Sequence, residues 1–392
     1  MSISTVPTSR RSLSRFEVAF ERRLADAMSG PLLPARPHCE RLGLPPEAIG
    51  RSFSGHKLAG ALLRGRPRLL LAELRRLFDG PPSEKKARAL LSPELTRWSR
   101  LYDALSDDQS RNLLVDLLVY RMLGYRRIRL PLDTPAYWKS LEDIENAMDK
   151  DDVVATGFLD WRLHRINTSR WGWPIDLYSS PVGVLTQFVN EQYFCRDQNN
   201  PVTPASGDVV IDCGVCYGDT VLQFAAACAP NGRVFGFEFA PSNLVIAEQN
   251  LALNPSLAER IELIRHPVWS ESGTPLYVSG AGPATRVSSE RRSDGMRCET
   301  LSIDDFVNKR NLDRVDFIKM DVEGAELHAL RGAAETIKTF KPNLAICVYH
   351  NLMDFIEIPE YISSLVEEYE LKLRHYTVYL GETVLFASLP KQ

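Results

Sequence analysis

The residues most suggestive of chemistry are charged side chains at the end of an apolar run. The stretch FIKMDVEGAE places Lys319 and Asp321 two residues apart at the carboxyl end of a predicted strand, so both point to the same side. A buried strand normally excludes charge, so the two are either a structural ion pair or part of a site, and we favour the site. His350 ends the next apolar run, CVYH, and reaches the same rim, whereas Glu326 can equally stabilise a helix dipole. A carboxylate beside an imidazole can accept a proton.

A loop with two glycines follows the first strand of this region, and it contains Asp212, Gly214, Gly218 and Asp219. The dinucleotide-binding loop G-x-G-x-x-G has its second and third glycines where this chain has Cys216 and Asp219. A side chain at position 216 obstructs a pyrophosphate, and a carboxylate at the helix start repels it, so NAD binding is disfavoured. A cationic nucleoside without phosphate, such as S-adenosylmethionine, suits the same loop.

Further candidates for binding a nucleoside follow the second and third strands. Glu238 ends the second strand twenty residues after Gly218, and its carboxylate can accept hydrogen bonds from both ribose hydroxyls. Asn243 is either a helix-surface residue or a minor cofactor contact. Val268 and Trp269 follow the third strand and can line an adenine pocket, although Trp269 can equally be a core residue.

The seven cysteines include one C-x-x-C pair, Cys213 and Cys216. A zinc site requires a second pair of ligands at suitable spacing, and the sequence has no other C-x-x-C or H-x₃₋₅-H, so no metal is predicted. A thioredoxin-like redox role stays open, because such a pair at a helix start would have one acidic thiol.

The elements that position these residues alternate between short apolar runs and segments of helical period. This pattern predicts an α/β fold with a mostly parallel sheet covered by helices on both faces. Only Leu380 and Gly381 separate the last two strands, so they must form an antiparallel hairpin. This order is typical of methyltransferases that use S-adenosylmethionine. The predicted strands are 209–213, 233–238, 260–269, 315–321, 343–350, 371–379 and 382–388, and the predicted helices are 219–229, 241–253, 302–310, 324–338 and 354–368.

The preceding part of the chain is predicted to be a mainly helical domain over 1–175, with a substrate or partner role, followed by the sheet domain over 176–392. Its strongest helix is SDDQSRNLLVDLLVYRMLG, which Ser106 or Asp107 can cap and Gly124 ends. Residues 1–100 contain 19 Lys and Arg against 9 Asp and Glu. This excess of positive charge can bind an anionic partner, but the solvated surface of an amphipathic helix explains it equally simply.

Composition sets the class of protein. The chain has 392 residues, 44% of them hydrophobic, and a net charge of −3, which predicts a globular protein and gives no global argument for nucleic acid binding. No run approaches the ~18–20 apolar residues of a membrane span, and no apolar segment follows the basic N-terminus. We therefore expect a cytoplasmic protein without a transmembrane segment, whose oligomeric state the sequence does not predict.

Several motifs resemble the FkbM family of S-adenosylmethionine-dependent methyltransferases. They are VVIDCGVCYGDT, VFGFE, ETLSIDDF and FIKMDVEGAELHALRGA followed by YHN, and the resemblance covers about 209–388. The resemblance implies a class I, Rossmann-like methyltransferase fold and methylation of a hydroxyl on a sugar or a polyketide-like product. It also implies that Asp321 and Glu323 face the transferred methyl group, and that the cofactor is held by Asp212, Gly214, Gly218 and Glu238.

Two hypotheses of function follow. The first is an O-methyltransferase that acts on a small-molecule or glycan hydroxyl. The second is an inactive regulatory or interaction protein that still binds S-adenosylmethionine; the charges kept at Asp321, Glu323 and His350 favour catalysis. We expect His350 to be the base and Asp321 to orient it, because an unperturbed imidazole titrates near ~6.5. Asp321 acting alone, or carboxylates holding a metal ion, are the alternatives.

Overall fold

The computed structural model describes residues 13–33, 91–157, 161–198, 200–279, 282, 286–288 and 296–391. The described helices are α1 (Arg15–Ser29), α2 (Leu95–Ala104), α3 (Asp108–Leu123), α4 (Pro135–Ala147), α5 (Pro181–Val184), α6 (Asp219–Ala227), α7 (Pro241–Ala252), α8 (Pro255–Ala258), α9 (Ile303–Arg310), α10 (Glu326–Arg331), α11 (Ala334–Phe340) and α12 (Asp354–Leu365). A π-helical turn, Leu185–Val189, directly continues α5.

The central feature is a seven-stranded sheet, whose strands are β4 (Val209–Cys213), β5 (Arg233–Phe237), β6 (Ile261–Ile264), β10 (Phe317–Met320), β11 (Asn343–Cys347), β12 (Glu370–His375) and β13 (Thr383–Ser388). Their order across the sheet is β12-β13-β11-β10-β4-β5-β6. The five strands from β11 to β6 are parallel, whereas β13 runs antiparallel to both β11 and β12. The predicted mostly parallel sheet with a terminal antiparallel hairpin is confirmed.

Alternating strand residues supply both sides of the core. Ile211 and Ile318 belong to a hydrophobic cluster that includes residues of α9, α11 and α12, whereas Val210 and Phe317 belong to another that includes residues of α6. Successive side chains of a strand point to opposite faces, so strands covered on both faces must be apolar throughout. This is why the sequence shows continuous apolar runs here rather than alternation.

The described helices that precede the sheet pack directly against it. Residues of α1, α2 and α3 share one hydrophobic cluster with the sheet and α12. Asp107 caps α3 by accepting a hydrogen bond of 2.6 Å from the Ser110 amide, and Gly124 ends the helix with a φ of 77°. The backbone N–H of Ser106 donates to the carbonyl of Leu371 in the edge strand β12, which leaves that edge partly covered.

Two small antiparallel sheets were not predicted. The first contains β1 (Val153–Ala155), β2 (Arg162–Asn167) and β3 (Asp176–Ser179), and the second contains β7 (Pro275–Ser279), β8 (Arg286–Ser288) and β9 (Met296–Glu299). The first sheet extends across the predicted boundary at residue 175, and the division into two domains stays a prediction. Much of the basic region 1–100, namely residues 1–12 and 34–90, lies outside the described residues. None of the described helices combines the length and apolar composition that crossing a membrane requires.

Candidate active site

A cleft opens at the carboxyl ends of β4, β5, β10 and β11. It encloses about 810 Å³ including its mouth, within the ~300–1,000 Å³ of small-molecule sites. Open α/β sheets bind ligands at this edge, because the loops after neighbouring parallel strands meet there. The lining residues that sequence analysis singled out are Gly214, Cys216, Glu238, Asn243, Val268, Asp321 and Glu323.

The loop after β4 forms one wall and depends on glycine at position 214. Gly214 has a φ of 92°, and a Cβ at this position would lie 1.9 Å from the carbonyl oxygen of Asp321. The backbone N–H groups of Gly214 and Val215 both donate to the carbonyl of Phe237, which fixes the loop to the end of β5. Gly218, with a φ of 89°, then begins α6 against Ala247. Only a residue without a side chain allows the loop to contact β10 so closely.

Asp212 lies beneath this loop rather than in the cleft wall. Its carboxylate is fully buried, 3.0 Å from the Lys319 ammonium, and also accepts a hydrogen bond from the Thr220 hydroxyl. Lys319 donates in turn to the carbonyl of Gly214 at 2.6 Å. Burial favours the neutral amine, but the charges of Asp212 and Asp321 outweigh it and raise the pKa of Lys319. The two charged residues therefore hold the loop in place from below.

Glu238 is the best-defined polar group at the β5 end of the cleft. One carboxylate oxygen accepts hydrogen bonds from the amides of Phe239 and Ala240, both at 2.8 Å, and the other accepts from the amide of Cys216 at 2.9 Å. The side-chain amide of Asn243 donates to it at 3.2 Å, while Asn243 Oδ1 is buried without a hydrogen-bond partner. A buried acceptor without a donor at a cleft wall is a ready contact for a ligand.

Val268 and Trp269 take different places although they are adjacent. Val268 lines the cleft. The Trp269 ring instead stacks on His328 at 3.9 Å with an interplanar angle of 7°, and Trp269 is not among the cleft-lining residues. Asp219 at the start of α6 is also not among the lining residues, and burial raises its pKa to about 6 despite the charge of Lys319. The predicted cofactor contacts of Trp269 and Asp219 thus have no direct place in the cleft.

Asp321 occupies the other end of the cleft and is held by two tyrosines. The Tyr193 hydroxyl donates to Asp321 Oδ2 at 2.9 Å, and the Tyr349 hydroxyl lies 3.2 Å from Oδ1. Tyr193 is buried and Tyr349 is half-buried, and the Asp321 side chain is 19% exposed toward the cleft. Tyr193 follows the π-helical turn, and sequence analysis missed it because it lies 128 residues away.

His350 lies behind Asp321 among three carboxylates. Nδ1 is 3.1 Å from Glu326 Oε1, and Nε2 is 3.5 Å from Asp321 Oδ1 and 3.7 Å from Glu323 Oε1. Burial alone would lower the pKa of His350, but Glu326 and Glu323 outweigh it and raise this pKa well above its usual value. The premise of an unperturbed imidazole is therefore wrong, whereas the catalytic role of His350 stays a prediction.

Backbone strain is concentrated at this cleft. Among the described residues other than glycine, six have a positive φ, and three of these line the cleft: Cys216 at 51°, Glu323 at 56° and Glu382 at 58°. Such conformations typically cost ~1–3 kcal/mol each and persist where the surrounding structure enforces them. At Glu323 the amides of Val322 and Gly324 on either side both donate to the buried carboxylate of Glu326.

Glu382 is a cleft residue that the sequence did not indicate. It is the last residue of the connection 376–382 between β12 and β13, which is longer than the predicted two-residue connection, and Gln192 donates a hydrogen bond of 2.5 Å to its carboxylate. Burial and the charge of Asp321 raise the pKa of Glu382 to about 8. In the sequence, a carboxylate in a hairpin turn looks like an ordinary surface residue, so no local pattern indicates that Glu382 lines a cleft.

Comparison with known proteins identifies the domain. Residues 212–376 match the profile of the methyltransferase FkbM domain. This part of the chain is an FkbM methyltransferase domain. The chain is also 24% identical over 154 residues to the hexuronic acid methyltransferase AglP of Haloferax volcanii, a match that covers 39% of this chain and 61% of that protein.

Two solved structures are similar to parts of this chain. Methyltransferase FkbM of Methylobacillus flagellatus has 21% identity and a TM-score of 0.49, covering 76% of this chain and 60% of that one. Fibrillarin of Aeropyrum pernix, solved in complex with S-adenosyl-L-methionine, has 14% identity and a TM-score of 0.31, covering 58% and 90%. Tyr193, which donates to Asp321, and Glu382, which lines the cleft, both lie outside the residues that match the FkbM domain.

The thiols of the FkbM domain do not form a redox centre. Cys213 and Cys216 are both free in the structure. Burial raises the pKa of both thiols, with the charges of Asp212 and Glu238 respectively as the next contributions. A catalytic dithiol instead needs one thiol of lowered pKa. The two thiols therefore do not have the character of a thioredoxin-like pair.

Proposed function

We propose that this protein transfers a methyl group from S-adenosylmethionine to a hydroxyl of a sugar-like acceptor bound in the cleft. One observation carries the proposal: a single cleft has a hydrogen-bonding pair suited to a ribose, Glu238 and Asn243, near one end and a partly exposed carboxylate, Asp321, at the other. AglP is named for methylation of a hexuronic acid, which supports a carbohydrate acceptor.

The residues present fit the cofactor. Glu238 would accept hydrogen bonds from the ribose hydroxyls, and the free Oδ1 of Asn243 would receive a further donor. Gly214 and Val268 would border the nucleoside. The described lining residues include no Lys or Arg, and a dinucleotide pyrophosphate would need such positive charge or an open helix N-terminus. S-adenosylmethionine, when bound, supplies a methyl group attached to a positively charged sulfur.

The reaction that these residues would support is an in-line displacement. The cleft walls hold the acceptor oxygen in line with the methyl carbon, because orientation supplies much of the rate of such a step. The oxygen–carbon bond forms as the carbon–sulfur bond breaks, and the hydroxyl proton passes to a carboxylate of the cleft. Asp321 is the acceptor of that proton, because its side chain lines the cleft whereas only 4% of the His350 side chain is exposed. Tyr193 and Tyr349 keep this carboxylate oriented.

The test is transfer of label from S-adenosylmethionine into a carbohydrate-containing extract of the source cells, followed by mass analysis of every product that gains a methyl group. We expect a labelled product that carries one additional methyl group on a hydroxyl oxygen. Asp321→Asn should lower the turnover at least ~10²-fold and leave binding of S-adenosylhomocysteine intact, while Glu335→Gln on the α11 surface serves as the control. Label on nitrogen, or full activity of Asp321→Asn, would contradict the proposal.

A further inference from the structure

Two carboxyl groups of the cleft are held by neighbouring residues of one segment. The Tyr193 hydroxyl donates to Asp321 Oδ2 at 2.9 Å, and the side-chain amide of Gln192 donates to Glu382 Oε2 at 2.5 Å. Consecutive Cα atoms lie only about 3.8 Å apart, so two adjacent side chains orient both groups. Asp321 and Glu382 both line the cleft. The proposed reaction uses only Asp321, which leaves Glu382 without a role.

Glu382 is placed as a group that binds a ligand. Gln192, which is itself buried, occupies one carboxyl oxygen, Oε2. Among the described residues no donor reaches the other oxygen, Oε1, and Glu382 lines the cleft, so Oε1 is available to a bound molecule. The backbone of Glu382 has a φ of 58°, and its carbonyl accepts a hydrogen bond of 3.0 Å from the Tyr376 amide. Strained residues that their surroundings hold in place are typical of ligand clamps.

We propose that Glu382 binds a second hydroxyl of the acceptor, beside the hydroxyl that loses its proton to Asp321. This role rests on the proposed methyl transfer and makes the acceptor a molecule with neighbouring hydroxyls, as in a sugar ring. A carboxyl group can bind a hydroxyl as donor or as acceptor. A site built to bind a hydroxyl rejects an analogue without it, because its own polar group is then left unpaired. Glu382 would therefore select the acceptor, whereas Asp321 acts in the chemical step.

The protonation state of Glu382 suits this role. Burial and then the charge of Asp321 raise its pKa to about 8, although the hydrogen bond from Gln192 and the charge of His350 act in the opposite direction. Glu323 adds a smaller contribution that raises the pKa. At neutral pH Glu382 thus carries a proton, which belongs on Oε1 because Oε2 accepts from Gln192. The group can donate this proton to an acceptor oxygen.

The other titratable groups around Glu382 stay neutral at this pH. They are the phenols of Tyr193, Tyr349 and Tyr379 and the thiol of Cys347, and burial raises the pKa of each well above its usual value. An acceptor that covers Glu382 removes further water from it, which disfavours the charged carboxylate. Binding of the acceptor should therefore weaken as the pH rises through about 8 and Glu382 loses its proton.

The test is binding of three neutral probes, the methyl α-pyranosides of glucose, mannose and galactose. Each is titrated into the full chain saturated with S-adenosylhomocysteine, and saturation-transfer difference NMR measures its affinity. We expect at least one glycoside to bind. Glu382→Ala should weaken that binding roughly 10-fold, the scale of one hydrogen bond. Glu335→Ala, which removes a carboxylate that is 74% exposed, should bind the glycoside as the wild type does.

A second variant separates hydrogen bonding from structural support. Glu382→Gln keeps a neutral side chain with a donor and an acceptor, so it should bind the glycoside nearly as well as the wild type. Its affinity should not fall above pH 8, whereas that of the wild type should fall. Circular dichroism shows whether each variant is folded, and the pH comparison decides the question if Glu382→Ala unfolds.

The failures of the two proposals are distinguishable. The role of Glu382 is overturned if the wild type binds none of the three glycosides, if folded Glu382→Ala binds them equally well, or if Glu382→Gln keeps the pH dependence of the wild type. Glycoside binding that depends on Glu382, without transfer of label from S-adenosylmethionine to any hydroxyl, would instead contradict the proposed methyl transfer and leave the hydroxyl-binding site in place.

Discussion

Tyr193 donates a hydrogen bond of 2.9 Å to Asp321 Oδ2 and joins two segments that are 128 residues apart in the chain. The tyrosine lies in the segment before the FkbM domain, and its ring also lies 5.1 Å from the ammonium of Lys319. A buried phenol with one charged acceptor keeps that acceptor in a single orientation. The segment preceding the domain is thereby part of the site.

Tyr193→Phe should lower kcat by about 10-fold, the scale of one hydrogen bond to a charged group, with the affinity for S-adenosylhomocysteine unchanged. Tyr369→Phe is the matched control, because its hydroxyl donates to the carbonyl of Pro342, away from the cleft. It should cost a similar amount of stability without changing kcat. Equal kcat values for the Tyr193→Phe variant and the wild type would show that Asp321 needs no such support.

Glu238→Gln should weaken binding of S-adenosylhomocysteine by ~1.5–3 kcal/mol, since a charged acceptor of the ribose hydroxyls becomes a neutral amide. Isothermal titration calorimetry measures the change. Glu248→Gln, a carboxylate on the exposed face of α7, should bind like the wild type. If both variants bind equally well, Glu238 does not hold the ribose.

Gly214→Ala should unfold more easily than Gly207→Ala and should lose cofactor binding. Both glycines have a positive φ, so each alanine adds roughly 1–2 kcal/mol of backbone strain. At Gly207 no atom lies within 4 Å of the added carbon, whereas at Gly214 it would lie 1.9 Å from the carbonyl oxygen of Asp321. Urea unfolding of the two variants isolates this clash. Equal losses of stability in the two variants would mean that the loop at Gly214 moves away from Asp321 without a cost in free energy.

The titration of Asp219 predicts a pH effect on stability. Its pKa is about 6 in the folded chain against 3.8 for the free side chain. Between these values the folded state keeps a proton that the unfolded state has lost, so stability falls as pH rises from about 4 to about 6. Asp219→Asn should reduce this pH-dependent decrease in the free energy of unfolding by about 2–3 kcal/mol. Chemical denaturation of both proteins at pH 4 and pH 7 tests it, and parallel pH profiles would contradict the assignment.

The sequence predicted the parts of the fold that depend on local patterns. Continuous apolar runs marked the central strands, and the parallel order implied that Asp321 and His350 share one rim. The predicted helix 324–338 is instead two helices, α10 and α11, separated at Gly332. Close packing requires glycine at this break, since a Cβ at Gly332 would lie 2.0 Å from the carbonyl oxygen of Trp269.

Other features of the site depend on contacts between distant segments. Tyr193 and Glu382 lie in connections whose sequence shows neither helical nor strand periodicity. Only the folded chain brings them close to Asp321. The group of side chains around His350 combines a strand end with the strained turn at Glu323, and no linear motif expresses that.

The most direct test of the whole account is a crystal structure of the protein with S-adenosylhomocysteine. The ribose hydroxyls should lie about 2.5–3.0 Å from the carboxylate oxygens of Glu238. The sulfur should point toward Asp321, with room between them for an acceptor hydroxyl. A nucleoside bound outside this cleft, or bound in it with the sulfur directed away from Asp321, would contradict the assignment of the cleft as the site of methyl transfer.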